Sequence, residues 1–119
     1  MVSKKIVVQA IIEKVESEFN DVEIRTSVVE GYERPETISA KGDSDKGYIP
    51  DVMLTSSEGT EIYEVEMDKQ YEVDKWKLFS LYSSKNNGEL NIVTPEEKLP
   101  ELRTMLNDND IKAKIIYFT

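Results

Sequence analysis

The chain contains no cysteine and no histidine. The first absence excludes disulfides, thiolate metal sites and cysteine nucleophiles. The second removes Ser-His triads, the usual zinc ligands and the commonest general base. Any chemistry must rest on carboxylates, lysines and hydroxyls. Long apolar runs are also missing: Ile6-Val7-Val8 is followed by Gln9 and Glu13, too early for a signal peptide or a membrane span, so a cytoplasmic location without membrane contact is expected. Positive charge is in the minority. With 15 Lys and Arg against 24 Asp and Glu the formal net charge is −9, which argues against broad adhesion to nucleic acid or anionic membranes. Any phosphate contact must come from a local patch.

What is present suits one core. A chain of 119 residues, 39% hydrophobic and 33% charged, is long enough for one domain over 1–119 and too short for two. Val8, Ile11, Ile12, Val15 and Phe19 recur at helical spacing behind Ser3 as N-cap, which predicts a first amphipathic helix from Ser3 to about Phe19. Val22 to Glu30 alternates as a strand. Gly31, Pro35, Gly42 and Gly47 mark a loop with a short strand at Thr37 to Ala40. Tyr48 to Thr55 and Thr60 to Met67 form the arms of a hairpin, and a second helix fits Tyr71 to about Ser84, with Leu78, Phe79 and Tyr82 as its core stripe and Asn86-Asn87-Gly88 as its stop. Leu90 to Thr94 is a short strand. The sequence Thr94 to Glu97 has the form of a capping box, but Pro100 delays the regular third helix to about Leu99 through Leu106. Ala113 to Thr119 closes the chain as a strand. The expected fold is α/β, a mixed sheet of about five strands in the order αβββαβαβ, with helices on both faces.

Three carboxylates fall on the hairpin. Side chains alternate along a strand, so Glu64 and Glu66 share a face and Val65 points the other way. If Ser56-Ser57-Glu58-Gly59 is a four-residue loop, Thr55 pairs with Thr60 and Asp51 lies opposite Glu64, with Cβ atoms roughly 5 Å apart. That spacing suits two oxygen ligands of one divalent cation. A five-residue loop would send Glu64 to the other face.

Pro50-Asp51, then twelve residues, then Glu64-Val65-Glu66, together with the order of elements, resembles the PD-(D/E)XK phosphodiesterase superfamily of restriction endonucleases, junction resolvases and small repair and phage nucleases. The resemblance implies a restriction endonuclease-like fold, metal-dependent hydrolysis of DNA, and Mg²⁺ or Mn²⁺ held by Asp51 and Glu64, with Glu66 as a further ligand or proton acceptor. The family's motif lysine is replaced by Glu66. In some members that lysine comes from the following helix, and here Lys75 is the candidate, on the helical stripe of Phe79 and Tyr82; Lys77 lies about 200° away around the helix. Gln9 or Glu16 of the first helix would flank the metal. Since 119 residues leave no room for a separate recognition domain, the resemblance also implies a homodimer or a protein partner.

Plainer readings stand beside these. Glu64 and Glu66 can form a sheet face salt-bridged to Lys41, Lys69 or Lys75. Trp76, Phe79 and Tyr82 read as core residues before they read as base-stacking groups. Lys41, Lys46, Lys69, Lys77 and Lys85 either line a phosphate groove or solubilise the surface. The alternative function is a catalytically inactive nuclease-fold protein acting as a binding or structural module.

Overall fold

Ser3 starts the first helix by accepting the Ile6 N–H at 3.3 Å, and α1 runs over Lys4–Glu18 with Val7, Val8, Ile12 and Val15 buried. Phe19 leaves the expected stripe. Its backbone is extended, it caps the helix, and the residue is 56% exposed. The computed structural model describes residues 3–39, 47–68 and 71–119. Lys41, Lys46 and Lys69, which entered the sequence reading as groove or pairing residues, lie outside them, as does Ala40.

Seven strands are found among the described residues: β1 (Glu23–Arg25), β2 (Ile38–Ser39), β3 (Gly47–Tyr48), β4 (Val52–Thr55), β5 (Thr60–Val65), β6 (Leu90–Pro95) and β7 (Lys114–Phe118). Five form one mixed sheet in the order β1-β4-β5-β6-β7, antiparallel across β1, β4 and β5 and parallel across β5, β6 and β7. Helix α2 (Val73–Lys85) crosses from β5 to β6, and α3 (Leu99–Asp108) crosses from β6 to β7 after a 3₁₀ turn at Glu96–Lys98. The mixed sheet with helices on both faces is as expected. One core packs Trp76, Phe79, Leu102 and Leu106 of α2 and α3 on Met53, Ile62 and Ile92. The other packs α1 on Val52, Leu54, Val65 and Val93.

The departures have local causes. The first strand is three residues rather than nine because Thr26 turns the chain away: its N–H bonds Glu33 O and its hydroxyl donates to Asp51 O. The expected arm from Tyr48 to Thr55 breaks at Ile49-Pro50-Asp51, where proline offers no N–H to a ladder. Residues Gly47–Tyr48 pair instead with Ile38–Ser39 in a separate two-stranded ribbon. No capping box forms at Thr94, whose hydroxyl donates to Glu66 O at 2.9 Å. At the end of α2 the left-handed residue is Asn87 (φ 60°) rather than a glycine. Gly88 donates its N–H to Ser83 O at 2.8 Å, closing a Schellman motif. It is needed for a different reason: a Cβ there would stand 1.8 Å from Thr60 O.

Candidate active site

The hairpin register decides which carboxylates can meet. Thr55 faces Thr60, Leu54 faces Glu61, Met53 faces Ile62 and Val52 faces Tyr63, and Ser56 N–H closes the turn on Gly59 O at 2.9 Å. The loop therefore has the four residues expected, and one further step of the register brings Asp51 opposite Glu64. Asp51 itself has left the ladder. Its N–H donates to Glu64 Oε1 at 2.7 Å, its carbonyl accepts from Thr26 Oγ1 at 2.6 Å, and its Oδ2 accepts the Val65 N–H at 2.9 Å. Side chains thus hold its backbone where strand pairing ends, and Asp51 and Glu64 are tied to each other's strand.

Among the described residues Glu64 is the most buried acid, 1% exposed. Burial first, and then the Asp51 charge, push its carboxyl up to about 7, although Lys75 and the Asp51 N–H pull the other way. Lys75 projects from the first turn of α2 with its Nζ 3.1 Å from Glu64 Oε2, 3.3 Å from Glu66 Oε1 and 3.9 Å from Glu72 Oε1. Its side chain is 14% exposed. Burial favours the neutral amine, but Glu64 and Glu66 outweigh that and hold the pKa above the usual lysine range. Lys77 is exposed, as the helical stripe implies.

Glu66 shares Lys75 with Glu64. Its Oε1 accepts the indole N–H of Trp76 at 3.2 Å as well as Lys75. Among the described residues no group of three or more Asp or Glu side chains is arranged to hold a metal ion; Asp51 and Glu64 are the acids whose side chains bond each other's segment. Trp76 is fully buried. It is a core residue and is not accessible to bases.

The first helix contributes a residue that sequence reasoning missed. Neither Gln9 nor Glu16, both exposed, makes a side-chain bond to the site among those found; Lys4 does, with Nζ 3.3 Å from both Asp51 oxygens. Lys4 is about half exposed, so this pair is weak by itself. Four carboxylates, Asp51, Glu64, Glu66 and the more exposed Glu72, therefore meet two ammonium groups. Two more residues frame the Glu66 side. Tyr71 packs on Trp76 with ring centroids 5.6 Å apart and donates to Glu101, and Lys98 lies 5.5 Å over the Tyr71 ring and donates to Asp68 O at 3.0 Å. Burial and Glu101 push the Tyr71 hydroxyl up to about 12. The signal for Trp76 was present in the sequence, since a buried indole N–H needs an acceptor. No local pattern marked Lys4, Thr26 or Lys98.

A groove of about 930 Å³ lies at the other end of β5, between the end of α1, the hairpin turn and the start of β6 and β7. None of Asp51, Glu64, Glu66 and Lys75 lines it. Comparisons with family models, with curated proteins and with solved structures returned no match.

Proposed function

We propose that the chain is a restriction endonuclease-like domain that hydrolyses phosphodiester bonds of DNA with a divalent cation, Mg²⁺ or Mn²⁺, at Asp51 and Glu64. The observation that carries the reading is the buried Asp51–Glu64 pair with the Lys75 ammonium 3.1 Å from Glu64. The donor set fits a hard cation: two adjoining carboxylates, Glu64 on β5 and Asp51 just before β4, with both Glu64 oxygens and Asp51 Oδ1 each accepting one bond and keeping a second lone pair. Burial and then the Asp51 charge raise the Glu64 carboxyl towards 7, and a cation between the two acids would relieve the second of these. When bound, such an ion supplies a nucleophile from water near neutral pH and counter-charge for the phosphorane. The chain's own residues do the rest. Lys75 places a fixed positive charge beside the metal position, where negative charge on the phosphate grows. Lys4, the more exposed of the two lysines, would give up its place at Asp51 when a cation binds there. A homodimer or a protein partner would supply the recognition surface.

A second reading rests on a specific observation: every buried side-chain nitrogen and oxygen among the described residues has a partner without any added ion. On that basis the lysines neutralise the acids permanently, and the domain is an inactive binding or structural module. The two readings separate by experiment. A nuclease should show a higher melting temperature with Mn²⁺, since a ligand of the native state alone must stabilise it. It should also cleave plasmid or single-stranded DNA, and Asp51→Asn should abolish both effects. No thermal shift and no cleavage would leave the inactive module.

A further inference from the structure

We propose that Glu66 and Trp76 are positioning residues that fix the Lys75 ammonium beside Glu64, and that Glu66 is not a ligand of the metal; the catalytic part of this rests on the nuclease reading. Lysine carries its charge on a flexible four-carbon stem. One ion pair with Glu64 would leave that charge free to swing. Glu66 supplies the second point of attachment, and it is itself held at both ends. Its backbone N–H bonds Val93 O at 2.8 Å and its carbonyl accepts from Thr94 Oγ1 at 2.9 Å. Its side chain, in a residue 6% exposed, meets Trp76 Nε1 at 3.2 Å and Lys75 Nζ at 3.3 Å on the same oxygen.

The geometry explains why adjacent residues of α2 share one acceptor. Lys75 and Trp76 sit about 100° apart around the helix, and Glu66 lies under the first turn between them. Trp76 is locked by full burial and by Tyr71 packed on its ring. It therefore acts as a rigid donor that orients the carboxylate, and the carboxylate in turn holds the lysine. A cation at Glu66 Oε1 would displace the indole N–H and leave a buried donor without an acceptor. This chain of contacts also accounts for an acid standing where the resemblance expects a lysine: the lysine comes from α2, and the strand position carries its anchor.

The test compares native protein, Glu66→Gln and Trp76→Phe by three measurements. They are Mn²⁺ affinity by calorimetry, kcat and KM on DNA, and the ¹⁵N resonance of the Lys75 ammonium, which slow proton exchange makes visible when it is buried and bonded. Both variants should keep Mn²⁺ affinity within about twofold, lose roughly tenfold or more in kcat at unchanged KM, and lose the Lys75 resonance. Glu66→Gln keeps the shape of the side chain and decides the matter should Trp76→Phe not fold. Loss of Mn²⁺ binding in Glu66→Gln comparable to that in Asp51→Asn would make Glu66 a ligand and overturn the proposal. Retention of both kcat and the Lys75 signal would overturn it as well. If native protein cleaves nothing, the nuclease reading fails, and the resonance alone decides whether Glu66 and Trp76 anchor Lys75.

Discussion

The two ends of β5 each carry a glutamate that accepts a backbone N–H from a neighbouring segment, and only one of them has the makings of a reactive group. At the start of the strand the partly buried Glu61 takes the Glu89 N–H at 2.7 Å and the Asn91 amide at 3.2 Å, with no cation bonded to it among the described residues. At the other end Glu64 takes the Asp51 N–H at the same 2.7 Å. It is sealed from water, lies beside a second carboxylate and touches Lys75. The hydrogen bond is alike at both ends. What differs is burial and the neighbouring charge, and these turn a structural clamp into an acid with its pKa near neutrality.

The comparison breaks first at Lys75. Lys75→Met removes the cation from two buried acids and should cost about 3–5 kcal/mol at pH 8, where Glu64 is ionised. Denaturant unfolding at pH 8 and pH 5 would measure it, and the loss should shrink at the lower pH as Glu64 takes up a proton. An equal loss at both values would mean that Glu64 is not the group Lys75 compensates.

Next comes the pH dependence of the native protein. The Glu64 value is raised from 4.5 to about 7, so the native state binds this proton more tightly than the unfolded chain does. Its contribution is therefore complete below about 4.5 and lost as the pH rises through about 7, an effect on the order of 3 kcal/mol. The Lys75 value is raised above 10.5, so its contribution is constant over this range and falls only in strong alkali. Metal-free protein should lose stability between pH 5 and pH 8, and Glu64→Gln should flatten that slope. A slope unchanged in the variant would assign it to another group.

The smallest effect belongs to the opposite end of the strand. Glu61→Gln keeps one acceptor and exchanges a charge-assisted bond for a neutral one, at a cost of about 0.5–1 kcal/mol. The pH slope and the Mn²⁺ response should both stay as in the native protein. A change in either would show that the two ends are coupled through the strand and would remove the contrast.

How much of this was legible depends on the distance over which each feature is decided. The turn Ser56-Ser57-Glu58-Gly59 is local, so its four residues and the register that follows from them were readable, and with them the Asp51–Glu64 approach. Lys75 was readable because helical periodicity ties it to Phe79 and Tyr82. The extent of β1 was not, because Thr26 leaves the strand to bond Asp51, 25 residues away. Glu66 was read as a further ligand or a proton acceptor, and its bonds to Trp76 and Lys75 depend on which donors α2 sets above its strand face. For a similar reason the α1 side chain bonded to Asp51 is Lys4 rather than Gln9 or Glu16. A helical stripe says which face of α1 packs, but not which end reaches Asp51.

By itself the sequence determined the absence of histidine and cysteine chemistry, the periodicities of three helices, the hairpin turn and the alternation that pairs Glu64 with Glu66. Each depends on residues within a few positions of one another, where sterics and hydrogen-bond geometry act without help from the rest of the chain. Only the tertiary structure decided that Lys4 meets Asp51, that Trp76 and Lys75 share one Glu66 oxygen, and that Glu64 is buried deeply enough to have its pKa raised. Desolvation and ion pairing are set by what packs from distant segments, and neighbours in the chain do not specify them.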